Sequence, residues 1–342
     1  MKVGILSGGG DAPGINAVIR AVVRKGIQHH KYEILGIRDG WRGLLENKFL
    51  SLDLKTSSGI LTRGGSILGT SRTNPFKHKD GSKRIIRNAE KAKIEAVVVI
   101  GGEDTLGVAY KMSELGLKCV GVPKTIDNDL AGTDYTFGFN TAVAIATEAL
   151  DRLHTTAEAH HRVMILEVMG RYTGWIAVES GMAGGADSIL IPERPFDIQE
   201  VCNHIRRRQE RDRNFCTIVV AEGAKPKGGG EIVYGETVDE FGHAHLGGVG
   251  YYIGKEIEKR LGIETRVVVL GHIQRGGSPT AYDRILATRY GIAAVDLVNK
   301  RKFGYMVALK GKKISSTPLR EVVSKRKTVD LELFKAASIF FG

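Results

Sequence analysis

Short apolar runs rich in β-branched residues alternate with amphipathic segments along the chain. The runs cover residues 3–7, 32–37, 96–100, 118–122, 163–168, 188–191, 216–221 and 267–270. Runs of this length that are apolar on both faces are typical of strands buried in a parallel sheet. Helical spacing of apolar residues is clearest over 15–23, 142–153 and 285–298. The alternation predicts an α/β fold with doubly wound, mostly parallel sheets.

The length of 342 residues exceeds the roughly 100–200 residues of one ordinary domain, so we expect two domains. The first is predicted to contain residues 1–138 and about 279–325, and the second residues 139–278 and about 326–342. The first boundary is placed where the helix that begins at Asn140 leaves the first sheet.

The spacing of the cysteines and the hydropathy of the chain argue against several classes of protein. Cys119, Cys202 and Cys216 lie far apart without a Cys-x-x-Cys pair, which argues against a zinc site and a disulfide framework. We expect buried free thiols. No apolar run reaches the ~18 residues of a membrane span, and the first residues lead directly into a predicted strand. These observations predict a cytoplasmic protein.

The net charge of +12 suits nucleic acid or phosphorylated small molecules as partners. A run of arginines at 206–208, with Arg211 and Arg213, lacks the interleaved aromatic residues of a nucleic-acid surface. We therefore interpret it as a solvated helix face. Nucleic-acid binding stays open as an alternative, and it predicts salt-sensitive binding to mixed oligonucleotides.

Three loops that follow predicted strands contain candidate chemistry, since ligands of open α/β sheets bind at the carboxyl ends of strands. Ser7–Gly14 is rich in glycine and opens a helix, which suits phosphate binding by backbone N–H groups of Gly9 and Gly10 or simply a tight turn. Residues 101–105 pair Gly102 with two carboxylates, which indicates either a cation beside a phosphate or helix capping. Residues 123–129 offer a carboxylate for a hydroxyl proton and groups for a cation, or else an Asx-rich turn.

Six motifs in order give the chain a resemblance to the phosphofructokinase family. They are Gly-Gly-Asp-Ala-Pro-Gly at 9–14, Gly-Gly-Glu-Asp-Thr at 101–105, Lys-Thr-Ile-Asp-Asn-Asp at 124–129, Glu-Val-Met-Gly-Arg at 167–171, Ala-Glu-Gly at 221–223 and Leu-Gly-His-Ile-Gln-Arg-Gly-Gly at 270–277. The resemblance implies fructose 6-phosphate as acceptor, fructose 1,6-bisphosphate as product and Mg²⁺ as cofactor. It also implies two domains with the active site in the cleft between them.

The resemblance implies roles for residues near the transferred phosphoryl group. Asp127 matches the general base, Asp129 supports it and the metal, and Glu103 matches the metal-binding carboxylate. Further matches are Thr125 and Arg171, which contact the transferring phosphoryl, and Arg72, which bridges the donor and acceptor phosphates.

The resemblance also implies a sugar-phosphate site. Its residues are Met169, Gly170, Arg171 and Glu222 around the sugar, with His272 and Arg275 as contacts within the subunit. Arg162 and Arg266 match arginines that reach the 6-phosphate from a neighbouring subunit, so we expect a homo-oligomer, a dimer or a tetramer, with a shared site. Planar guanidinium groups suit a phosphate dianion.

The residues at two positions distinguish between ATP and pyrophosphate as the phosphoryl donor. ATP-using members resemble Gly-Gly-Asp-Gly-Ser and Pro-Gly-Thr-Ile-Asp-Asn-Asp, with glycine where this chain has Asp104 and Lys124. Asp104 would repel the α-phosphate of a nucleotide, since unit charges ~4 Å apart at a dielectric of ~20 interact by about 4 kcal/mol. Lys124 would supply a cation beside the leaving phosphate. The pair is the pattern of pyrophosphate-dependent members, and it predicts a reversible reaction usable in glycolysis and gluconeogenesis.

Two alternatives to that function stay open at this point. The protein could still accept ATP if Asp104 or Lys124 faces solvent. It could also be a non-catalytic sugar-phosphate sensor, against which the intact set of catalytic residues argues. We expect weak or absent allosteric regulation by nucleotides.

Overall fold

A computed structural model describes residues 1–230, 233–238 and 244–342 of the chain. The strands are β1 Lys2–Ser7, β2 Glu33–Ile37, β3 Phe49–Leu52, β4 Ala96–Gly101, β5 Cys119–Thr125, β6 Phe137–Gly138, β7 Val163–Val168, β8 Ser188–Leu190, β9 Cys216–Ala221, β10 Val233–Val238, β11 Ala244–Leu246, β12 Thr265–Val269, β13 Tyr305–Lys310 and β14 Lys313–Pro318. The helices are α1 Ile15–His30, α2 Trp41–Glu46, α3 Gly81–Lys91, α4 Glu103–Glu114, α5 Phe139–His160, α6 Trp175–Ala183, α7 Ile198–Gln209, α8 Val249–Leu261, α9 Ala281–Asn299, α10 Leu319–Ser324 and α11 Leu331–Ser338. Two short 3₁₀ helices cover Pro75–Lys77 and Gly271–Arg275.

The described chain divides into two compact units. Unit one contains Met1–Thr141 and Arg275–Arg326. Unit two contains Ala142–Val238, Ala244–Gln274 and Lys327–Gly342. The predicted bounds of independently folding domains stay a prediction.

Unit one is built on an eight-stranded sheet in the order β14-β13-β5-β4-β1-β2-β3, with β6 paired to β5. The inner pairs are parallel, whereas β2 with β3 and β13 with β14 are antiparallel. Alternate residues of β4 serve two cores: Val98 and Ile100 pack with residues of α1 and α9, and Val97 and Val99 pack with residues of α2, α3 and α4. Because both faces are covered, the strand is apolar throughout.

Unit two contains a four-stranded parallel sheet in the order β12-β7-β9-β8. Its core joins β7 and β9 to α7 and α8. The antiparallel pair of β10 and β11 completes the described strands of this unit. The predicted α/β class with two mostly parallel sheets is therefore confirmed.

Two local predictions needed correction. The strand predicted at residues 118–122 covers Cys119–Thr125 instead, because its last residues pair with the short strand β6. Arg208 was predicted to be solvated, but its side chain is only 17% exposed and pairs with Asp187 at 2.5 Å.

The three cysteines are free and buried, as expected. Burial raises the pKa of Cys119 to about 12 and raises that of Cys202 and, further still, that of Cys216. No helix in the described part of the chain is long and apolar enough to cross a membrane.

Candidate active site

Lys124 is the most deeply buried cation of the predicted donor site. It lies at the end of β5, where the residue is 3% exposed. Its ammonium donates to the carbonyl of Gly8 at 2.9 Å and to the carbonyl of Gly10. The glycine loop after β1 and the end of β5 therefore meet at this amine.

The pKa of Lys124 reflects its burial. Desolvation, and then the nearby positive charges of Arg275 and Arg72, lower the pKa to about 7. The carboxylates of Asp11 and Asp127 oppose that change. A bound anion would favour the charged amine, because an opposite charge favours ionisation.

The glycine loop is held by its own backbone. The N–H of Gly8 donates to the carbonyl of Ile100 at 3.0 Å, and the N–H of Gly9 donates to the carbonyl of Ser71 at 2.9 Å. The N–H of Gly9, one of the two predicted phosphate contacts, is thus engaged within the protein. The loop also presents the carbonyl oxygens of Gly8 and Gly10 to Lys124. Thr70 reinforces this arrangement by donating to the carbonyl of Gly9 at 2.6 Å.

Gly10 and Arg275 lie in direct contact. A Cβ atom at Gly10 would stand 2.7 Å from an Nη atom of Arg275. The guanidinium also donates to the carbonyl of Asp11 at 3.0 Å. Arg275, which was predicted to contact the sugar phosphate, is therefore placed in unit one beside the donor loop.

Arg326 contacts one acidic residue of the loop at 101–105 and one of the segment at 123–129. Its guanidinium lies 2.5 Å from the carboxylate of Glu103 and 3.8 Å from that of Asp129. Burial, and then the charges of Asp127 and Glu103, raise the pKa of Asp129 to about 7, whereas Arg326 opposes this. The carboxylates of Glu103 and Asp129 therefore lie on either side of the guanidinium of Arg326.

The remaining residues of the predicted donor site lie at the start of α4 and at the end of β5. Glu103 and Asp104 form the first turn of α4, after the N-cap residue Gly102. Two carboxylates in a first turn are favourable to the helix dipole, so the capping interpretation also applies. The hydroxyl of Thr125 accepts from the N–H of Asp127 at 3.1 Å, which fixes the turn after β5.

The predicted sugar residues of unit two follow β7 and β9. The N–H of Met169 donates to Gln274 at 3.4 Å, and Gln274 in turn donates to the carbonyl of Gly271 at 3.1 Å. Gly170 has φ of +142°, in the region that favours glycine. Gln274 is fully buried, so it links the loop after β7 to the segment that carries His272.

Three other predicted residues lie in the same unit. Glu222 follows β9, and its N–H donates to the carbonyl of Val168 at 2.8 Å. Arg171 lies over the ring of Tyr172 at 5.8 Å. His272 is exposed in the 3₁₀ helix Gly271–Arg275.

Arg162 and Arg266 share one carboxylate. Arg162 lies 2.6 Å from Glu264, and Arg266 contacts the other oxygen of the same side chain. The parallel pairing of β12 with β7 brings these arginines together. The two guanidinium groups therefore contact the two oxygens of one carboxylate.

Arg326, Gln274 and Glu264 are the site residues that sequence reasoning did not assign. Gln274 stood inside a quoted motif and could have been noted. Arg326 contacts Glu103 across 223 residues of sequence, so no spacing rule reveals it.

The carboxylates of Glu103 and Asp129 suit a hard divalent cation that is bound together with phosphates. Among the described residues there is no group of three or more side chains that could hold a metal by themselves. Mg²⁺ is ordinarily held by one or two carboxylates and by substrate phosphates. Glu103 and Asp129 meet that requirement.

The family model and the curated relatives that match the chain indicate one family. The phosphofructokinase family model matches residues 2–298. The chain is 57% identical over 343 residues to the pyrophosphate--fructose 6-phosphate 1-phosphotransferase of Streptomyces coelicolor, and 56% identical over 342 residues to that of Amycolatopsis methanolica, with full coverage of each chain. It is also 53% identical to ATP-dependent 6-phosphofructokinase 3 of Streptomyces coelicolor, with 96% of each chain covered.

Solved structures agree with this result. Phosphofructokinase from Saccharomyces cerevisiae superposes with a TM-score of 0.82 at 33% identity, over 94% of this chain and 45% of that one. Pyrophosphate-dependent phosphofructokinase from Marinobacter aquaeolei gives a TM-score of 0.82 at 26% identity, over 97% of this chain and 86% of that one. From its buried lysine, its acidic cluster and these matches, we conclude that the chain belongs to the phosphofructokinase family.

Proposed function

We propose that the protein catalyses the reversible transfer of a phosphoryl group from pyrophosphate to fructose 6-phosphate, giving fructose 1,6-bisphosphate and inorganic phosphate. The observation that carries the choice of donor is Lys124, a buried ammonium bonded to the loop carbonyls of Gly8 and Gly10. The names of the relatives at 55–57% identity support the same donor.

The proposed acid–base step uses Asp127. Its carboxylate takes the proton of the sugar 1-hydroxyl as that oxygen bonds to the transferred phosphorus and the bond to the leaving phosphate breaks. Positioned general bases of this kind contribute roughly 10²–10⁴-fold to a rate. The turn made by Thr125 and the N–H of Asp127 supports this placement.

Lys124 is proposed to stabilise the leaving phosphate. Charge grows on that group as the bond breaks, and a fixed cation in a site without bulk water is most effective there. Arg72 is close enough to affect the Lys124 pKa, so these two cations would face the phosphates of the donor together.

A Mg²⁺ ion held by Glu103 and Asp129 would neutralise charge on the phosphates when bound. Burial of Asp129 beside Glu103 supports this assignment. These two residues suit Mg²⁺ because they offer a pair of hard carboxylate oxygens, which this ion prefers to a complete cage of protein ligands.

The sugar 6-phosphate is proposed to bind Arg162 and Arg266, with His272 and Arg275 as further contacts. The sugar would lie against Met169, Gly170, Arg171 and Glu222. The shared contact of Arg162 and Arg266 with Glu264 supports the first pair as one binding unit. We further propose a homo-oligomer in which these arginines complete a neighbouring site.

ATP is the second candidate donor, favoured by the identity of 53% to an ATP-dependent relative. The deciding experiment incubates the protein with fructose 6-phosphate, Mg²⁺ and either pyrophosphate or ATP, and measures fructose 1,6-bisphosphate. Product with pyrophosphate, at a kcat/KM at least tenfold above that with ATP, is the expected result. A preference for ATP overturns the choice of donor, and absence of product with both overturns the proposed function.

A further inference from the structure

Arg326 stands between the two carboxylates assigned to the metal. One Nη atom lies 2.5 Å from the Oε2 atom of Glu103, and its Nε atom lies 3.8 Å from the Oδ2 atom of Asp129. The arginine side chain is 29% exposed, and that of Asp129 is 14% exposed. A positive charge thus occupies the region where a divalent cation would join the same oxygens.

Backbone pairing fixes the arginine at this place. Arg326 forms an isolated antiparallel bridge with Leu130, the residue directly after Asp129. The guanidinium therefore comes from a segment anchored to the acidic loop itself. Its charge is permanent, because arginine is not deprotonated in proteins.

We propose that Arg326 is a positioning residue that acts as a built-in counter-ion for Glu103 and Asp129 and keeps their affinity for free divalent metal low, so that the metal binds together with the pyrophosphate anion. The proposal rests on the proposed function for the identity of that anion. The competition between guanidinium and metal for the two carboxylates does not depend on it.

Electrostatics gives the direction of the effect. A divalent ion that approaches these oxygens meets the repulsion of the guanidinium and must displace or share its contact with Glu103. An anionic donor that arrives with the metal adds negative charge, so that both cations are then compensated. Loss of the arginine charge should therefore strengthen binding of metal alone.

The test measures binding of Mn²⁺ alone by electron paramagnetic resonance, with Mg²⁺ as competitor, in the full-length wild-type protein and in Arg326→Met. We expect Mn²⁺ to bind Arg326→Met on the order of tenfold more tightly or better. Arg326→Lys keeps the charge and should bind Mn²⁺ as weakly as the wild type. Arg320→Met removes an exposed arginine of α10 and serves as the matched control, with unchanged affinity.

Unchanged or weaker Mn²⁺ binding by a folded Arg326→Met protein overturns the proposal, because the arginine would then have no effect or would orient the ligands. Arg326→Gln replaces Arg326→Met if the latter fails to fold, as judged by circular dichroism. These measurements need no substrate. A wild-type protein without pyrophosphate activity would contradict the proposed function and leave the Mn²⁺ comparison intact.

Discussion

Replacing Lys124 by methionine should remove a pH-dependent part of the protein's stability. Methionine keeps most of the length and apolar volume of the side chain but carries no charge. In the wild type Lys124 is 3% exposed, and its ammonium donates to the carbonyls of Gly8 and Gly10. Burial lowers its pKa from 10.5 to about 7.

The direction and the size of this pH dependence of the free energy of unfolding follow from proton linkage. Between about pH 7 and pH 10.5 the unfolded chain holds the lysine proton and the folded protein has released it, so the free energy of unfolding rises with pH in that window. Each pH unit there is worth about 1.4 kcal/mol, and integration from about pH 6 to about pH 9 gives roughly 2.5 kcal/mol. The two carbonyls left without a donor in Lys124→Met cost about 1–3 kcal/mol each at every pH.

Urea denaturation of wild type and Lys124→Met at about pH 6, 7, 8 and 9 measures the difference directly. Between about pH 6 and about pH 9, the free energy of unfolding of the wild type should rise by roughly 2.5 kcal/mol relative to that of the variant. Lys55→Met, at an exposed lysine, should track the wild type throughout. A wild-type-minus-variant difference that stays constant with pH would refute the reasoning.

Three further changes test the proposed site and the fold. Asp104→Gly combined with Lys124→Gly should lower kcat/KM for pyrophosphate by tenfold or more, because the cation beside the leaving group is lost; undiminished pyrophosphate activity would defeat the donor argument. Asp127→Asn should lower kcat by roughly 10²–10⁴-fold with little change in the KM for fructose 6-phosphate, and a loss below tenfold in steady-state assays would remove Asp127 from the role of base. Arg208→Met should reduce the free energy of unfolding by about 3–5 kcal/mol, because it leaves the buried carboxylate of Asp187 without its ion pair; a loss under about 1 kcal/mol by denaturation would show that the pair contributes little.

Much of the fold was predictable because parallel strands buried on both faces leave a continuous apolar signal. Runs such as residues 163–168 and 216–221 match β7 and β9. The antiparallel pair of β13 and β14 at the edge of the sheet was not predicted, since the burial of β14 is intermediate along most of its length. A two-residue strand such as β6 gives no periodicity at all, which is why the end of β5 was misplaced.

The candidate site was predictable only where its residues lie within a local motif. Glu103 and Asp127 each follow a strand, Lys124 lies at the end of one, and all three could be assigned from neighbouring sequence. Arg326 depends on a chain reversal that brings it to Leu130, and Glu264 depends on the register between β12 and β7. Contacts set by register and by distant segments require the tertiary structure.

The carbonyl partners of Lys124 have a consequence for the energetics of ligand binding. The carbonyl oxygens that accept from Lys124 are neutral, so the charge of its ammonium is available to a bound anion. A carboxylate in their place would already have neutralised that charge. Because burial lowers the pKa of this amine to about 7, a bound anion and a proton should favour each other's association, as reciprocal coupling requires. Above neutral pH, calorimetry in buffers of different ionisation enthalpy should therefore record hydrogen-ion uptake whenever a phosphate-bearing molecule enters.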